Sequence, residues 1–134
     1  MQKIILTKSQ KQLLSNHAEN EKPNESCAIL FGTNNEDESR VEKVFVTENI
    51  EKSPVNFTIS ADQRLEADKI EKESNLKIIS IFHSHPDSKA YPSNTDKKFM
   101  ELNPVVWIIF SGISKEFKAY ILESEIKEIS LETE

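Results

Sequence analysis

The sequence predicts an α/β (α+β) fold, a β-sheet flanked by helices, and three observations carry that expectation. Short apolar runs bounded by turn residues recur, among them Ile4 to Leu6, Cys27 to Phe31, Ile78 to Phe82, Val105 to Phe110 and Phe117 to Leu122. Runs this short, rich in β-branched and aromatic residues, read as buried strands. Between them lie longer polar stretches opened by Thr7, Ser60 and Ser93, each followed three residues on by Gln10, Gln63 or Asp96. That is the pattern of a helix N-terminus, where a hydroxyl accepts an otherwise unpaired backbone N–H. At 134 residues the chain suits a single domain, residues 1–134, around one core.

Composition narrows the function classes. With 37% apolar and 30% charged residues the chain has a globular balance, without the signature of disorder. A net charge of −6, with lysines interspersed among glutamates, argues against a nucleic-acid partner, which calls for a basic stripe. No apolar run approaches the roughly 18 residues of a membrane span, and no signal-peptide core opens the chain. Cys27 is the single cysteine, so neither an internal disulfide nor zinc-finger spacing is available. A cytoplasmic location, with no membrane partner, is the expectation.

In chain order, Gln2 to Leu6 is the first strand, and the Thr7/Gln10 capping box opens a helix with Leu13, Leu14 and His17 on one face. His17 reads as a core-edge histidine holding one hydrogen bond. Pro23-Asn24 breaks this helix. Glu25 to Phe31 is nearly continuously apolar, as a strand buried on both faces would be, and stops at Gly32. Glu25 begins it on the parity of Cys27, Ile29 and Phe31, either as a solvated strand end or as a functional acid at the rim of the core. Cys27 reads as a small buried hydrophobe rather than a nucleophile. Asn34 to Ser39 is a polar turn, Val41 to Val46 a strand, and Phe57-Thr58-Ile59 a brief extended piece. The helix from Ala61 to about Ser74 carries opposite charges at helical spacing (Arg64/Asp68, Asp68/Lys72, Lys69/Glu73), as a solvated helix covering one side of a sheet would. After the loop Pro86 to Pro92 a helix starts at Ser93, and two strands follow, Val105–Phe110 and Phe117–Leu122. Ile126 to Leu131 is a strand or a frayed terminal element.

The chemistry concentrates around His83-Ser84-His85. Alternation along a strand points His83 and His85 to one face, in line with Ile79 and Ile81, and Pro86 ends the strand. Asp96, in the first turn of the next helix, shares the inward face with Phe99 and Met100. An acid there is costly to bury unless something cationic meets it. Two imidazoles and one carboxylate on rigid elements match a catalytic zinc, which takes three protein ligands and leaves one position for water. A His-x-His pair alone is a weak signal. The metallo-β-lactamase pattern would want an acid at 87, which Asp87 supplies, and a histidine at 88, where Ser88 stands. An amidohydrolase barrel needs far more residues.

His83-Ser84-His85, then Ser93, then Asp96 resembles the JAMM (MPN+) metalloprotease signature at full spacing. Pro23-Asn24-Glu25 ahead of Ser26-Cys27-Ala28-Ile29-Leu30-Phe31-Gly32, and the segment Ser53 to Phe57, resemble that family's context, up to about Leu122. The resemblance implies the JAMM/MPN fold, similar to cytidine deaminase, with a curved, mostly antiparallel mixed sheet. It implies one catalytic zinc on His83, His85 and Asp96, Glu25 as proton carrier, and Ser93 as donor to the oxyanion as well as helix cap. It further implies a minimal prokaryotic isopeptidase acting on the C-terminal tail of a ubiquitin-like modifier. The alternatives are a zinc hydrolase of sulfur-carrier-protein adducts or small peptides, and a catalytically silent scaffold of the same fold. Ala28 departs from the glycine common there, and ubiquitin-gripping insertions are not visible.

Overall fold

A computed structural model describes residues 3–134; Gln2, where the first strand is expected to begin, lies outside them. Seven strands and three helices follow in the order β1 (Lys3–Leu6), α1 (Lys8–Glu21), β2 (Cys27–Asn34), β3 (Glu38–Thr47), α2 (Ala61–Ser74), β4 (Lys77–His85), α3 (Asn94–Leu102), β5 (Val106–Ser111), β6 (Phe117–Leu122) and β7 (Ile126–Thr133). The sheet is mixed, with antiparallel pairs β2/β3, β2/β4, β5/β6 and β6/β7 and parallel pairs β4/β5, β1/β3 and β1/β7. Its curvature runs to closure: β1 bridges β3 and β7, making a barrel in the order β1-β3-β2-β4-β5-β6-β7. The C-terminal stretch is therefore a full strand. Its apolar Ile129 is buried in the core, and pairing on both edges holds it.

The central strands β2, β4 and β5 bury both faces, which is why their sequences are almost unbroken apolar runs. One face joins Ala28, Leu30, Phe82, Ile108 and Phe110 to Leu14 and Ala18 of α1. The other meets α3 through Cys27, Trp107, Ile109 and Met100, and α2 through Ile29, Phe31 and Ala67. Helix α1 starts with the complete Thr7/Gln10 capping box, and α2 is capped by the Ser60 hydroxyl. The second half of the α2 pattern is diverted, because the Gln63 amide oxygen accepts the Glu48 N–H instead. Among the described residues none of the expected α2 charge pairs closes, and the helix is solvated along that face.

Several expectations are corrected. Leu13 is exposed, because α1 turns Leu14 and Ala18, four apart, to the sheet. Strand β2 starts two residues after Glu25 and continues through Gly32 to Asn34. A Cβ at Gly32 would stand 1.9 Å from the Arg40 carbonyl oxygen, so this glycine marks a close crossing at a bulge, not the strand's end. Ile79 does not share the face of Ile81. The β2/β4 register passes from Leu30↔Ser80 to Phe31↔Ile78, and the extra residue turns Ile79 to the opposite face, beside Phe82. The brief piece Phe57 to Ile59 lies between β3 and α2 without joining the sheet, as an isolated extended segment can. Phe99 is only half-covered, at 37% exposure, while Asp96 and Met100 of the same helix are buried.

Candidate metal centre

The end of β4 delivers both histidines to one place. Beyond the Ile79 bulge strand alternation is regular, so His83 and His85 emerge on the same face, bordered by Trp107 of β5 and Phe57 of the irregular loop. His83 is stacked on Phe57 (ring centroids 4.9 Å apart) and meets Trp107 edge-on at 5.7 Å. Asp96 arrives from α3, whose capping box is complete. The Asp96 N–H donates to Ser93 Oγ (3.0 Å), and Asp96 Oδ2 accepts the Ser93 N–H (2.9 Å). The same Oδ2 lies 3.1 Å from the Nε2 of each histidine, and the two Nε2 atoms are 3.0 Å apart. Three ligand-type atoms on buried residues thus converge.

Donor chemistry tests whether a cation belongs there. His85 Nδ1 lies 2.9 Å from the Lys89 carbonyl oxygen, which can only accept, so Nδ1 carries the proton. In neutral His85 the Nε2 lone pair then faces the Asp96 oxygen. Two acceptors at 3.1 Å repel unless a proton or a cation lies between them. Two imidazole nitrogens and a carboxylate oxygen, one imidazole held by a backbone carbonyl, form a donor set that fits zinc. His83 Nδ1 is buried without a hydrogen-bond partner among the described residues.

Electrostatics separate the two acids of the site. Burial alone would raise Asp96, but the His83 and His85 imidazoles against it and the Ser93 N–H hold it far below the usual carboxylate range. Burial lowers His83. It opposes His85 too, yet the Asp96 hydrogen bond and the Lys89 carbonyl outweigh it and raise that imidazole. Glu25 sits beside them, Oε2 4.0 Å from His85 Nε2 and Oε1 buried without a partner. Burial, with the Asp96 and Glu51 charges, outweighs the pull of His85 and pushes its carboxyl up to about 8.

The supporting residues were not legible in the sequence. Asn49, 2% exposed, donates to the carbonyls of Glu25 (3.0 Å) and Asn56 (2.9 Å) and accepts the N–H groups of Glu51 and Thr58. It fastens Glu25 to the loop that carries Phe57. Ser84, on the opposite face from the histidines, accepts the Ser26 N–H at 2.8 Å and fixes the end of β4 beside Glu25. No spacing in the sequence links Asn49 to Glu25; the only signal for Ser84 was a polar residue between two inward histidines. His17 stands apart from the centre, its Nε2–H shared between the Cys27 and Thr47 carbonyls at 3.1 Å each.

Residues 7–122 match the family described as prokaryotic homologs of the JAB domain. The chain belongs to that family. It is a JAMM-type hydrolase. Among relatives, it is 36% identical to a desampylase of Pyrococcus furiosus over 112 residues, which is 82% of this chain and 76% of the relative. It is 32% identical to a CysO-cysteine peptidase of Mycobacterium tuberculosis over 82 residues, 61% of this chain but only 55% of that protein. A solution structure of a protein from Desulfitobacterium hafniense superposes with a TM-score of 0.87 at 28% identity, covering 98% of this chain and 92% of that one. Among the described residues no helix is long and apolar enough to cross a membrane.

Proposed function

We propose that this chain is a zinc-dependent isopeptidase that hydrolyses the amide bond following the C-terminal tail of a ubiquitin-like modifier. The observation that carries the reading is the pairing of three convergent ligand atoms with a second, differently charged carboxyl, Glu25, 4.0 Å from His85. His83 Nε2, His85 Nε2 and Asp96 Oδ2 would hold one ion. When bound, zinc supplies Lewis acidity and makes a water acidic enough to ionise near neutral pH. Glu25 takes the proton from the attacking water and returns it to the leaving amine. With a cation held beside it, its carboxyl falls from about 8 towards neutrality, where a group can both accept and give back a proton. Ser93 Oγ accepts the Asp96 N–H and keeps its own proton to donate to the carbonyl oxygen as charge builds there. The N-terminus of α3 favours the same negative charge.

The substrate class rests on the likeness to the desampylase. A second reading, cleavage of sulfur-carrier-protein adducts, is favoured by the likeness to the CysO-cysteine peptidase. The full ligand set together with Glu25 counts against a silent scaffold. In this reading residues 1–134 act as one domain in the cytoplasm. Incubation with ubiquitin-like fusions and with sulfur-carrier adducts, with and without a zinc chelator, tests it. Cleavage of the fusions that stops with chelator and returns with zinc is expected; cleavage unaffected by chelator contradicts it.

A further inference from the structure

The backbone segment after β4 does more than connect. Its Lys89 carbonyl is the partner of His85 Nδ1, and the residues on either side of that carbonyl are held from β5 and β6. Three donors, from β5, β6 and the residue just after β5, grip residues around it. Tyr120 Oη, on a residue only 2% exposed, donates to the Ala90 carbonyl. Ser111 Oγ, fully buried, donates to the Ser88 carbonyl at 2.7 Å. The Gly112 N–H donates to the His85 carbonyl at 2.9 Å. A Cβ at Gly112 would lie 2.4 Å from the Pro86 carbonyl oxygen, so glycine alone lets the end of β5 come this close.

We propose that Tyr120 is a positioning residue for His85: its hydroxyl, with Ser111, clamps residues 88–90 so that the Lys89 carbonyl keeps the proton of His85 on Nδ1 and presents Nε2 as a ligand. This rests on the zinc reading for its consequence, but the clamp itself is a property of the metal-free protein. A carbonyl that takes the second N–H of a ligating histidine fixes both the tautomer and the angle of the ring. His83 Nδ1 has no such partner and its ring packs against Phe57 and Trp107, so His85 is the histidine whose outer nitrogen is fixed by a hydrogen bond. The burial that pushes the Tyr120 phenol up to about 12 keeps it a donor across the physiological range.

Y120F tests the clamp, since it keeps the ring and removes one hydroxyl. Imidazole nitrogen NMR on metal-free protein reads the tautomer directly, and the chain has only three histidines to assign. Wild type is expected to show His85 protonated at Nδ1. Y120F should show a mixture of tautomers at His85 while His17, whose contacts lie elsewhere, is unchanged. Zinc affinity should fall about tenfold, the low end for outer partners of a ligating histidine. Y91F, which retains the ring packed edge-on to Tyr120, should leave both readouts at wild-type values. A folded Y120F with an unaltered His85 tautomer and unaltered zinc affinity overturns the proposal. If Y120F does not fold, S111A is read in the same two ways, with the same outcomes deciding. Wild type that shows the Nδ1 tautomer yet binds no zinc would sink the zinc reading and leave the clamp standing.

Discussion

Asp96 and Glu25 are buried to almost the same degree, at 4% and 3% exposure, and the protein drives them to opposite charge states. Asp96 is met by two imidazoles and a backbone N–H, so its carboxylate is held ionised. Burial, with an oxygen that has no partner and two acids nearby, pushes the Glu25 carboxyl up to about 8. Burial is common to both; what differs is the set of donors aimed at each. A fixed anion suits the metal ligand proposed at Asp96, and a group that holds and yields a proton suits the acid–base proposed at Glu25. Environments that push two carboxyls apart in this way support giving them different roles.

Either acid can be altered by itself. The largest effect is expected at the ligand: D96N should lose stoichiometric zinc, as measured by metal analysis, and with it all cleavage above background. Next is the cap of α3. S93A should cost about 1 kcal/mol in denaturant unfolding and on the order of 10²-fold in turnover. S93N, which caps about as well as serine, should restore the stability and not the rate. If S93N restores both, Ser93 is a cap alone.

A smaller effect isolates Glu25 without its catalytic role. In metal-free protein its carboxyl is raised from 4.5 to about 8, so above pH 4.5 the unfolded chain has lost a proton that the fold retains. Stability therefore falls as pH rises from about 4.5 to about 8 and then levels off. E25Q removes that dependence. Metal-free E25Q should exceed wild type by on the order of a few kcal/mol at pH 9 and match it near pH 4, in urea titrations at both values. The smallest concerns Cys27, where burial pushes the thiol up to about 11. Native protein at pH 8 should resist alkylation that goes to completion in denaturant.

Much of this arrangement was legible because it is local. The capping pattern from Ser93 to Asp96 and strand alternation from His83 to His85 each depend on residues a few positions apart, and they bring three side chains together in the structure. What escaped depends on register or on distant chain. The bulge that turns Ile79 away from Ile81 is set by how β4 pairs with β2. Closure through β1 and β7 joins the two ends of the chain. The hold of Asn49 on Glu25 spans unrelated segments, as does that of Tyr120 on the loop behind His85. Leu13 misled because apolar character does not say which of two adjacent helical positions faces the sheet.

The division of labour between the two acids is tested most directly by E25Q, assayed for bound zinc and for cleavage of a ubiquitin-like fusion in the same preparation. Zinc at the wild-type stoichiometry is expected, with turnover reduced by about 10²–10⁴-fold. Turnover equal to wild type, or loss of the metal together with activity, would contradict it.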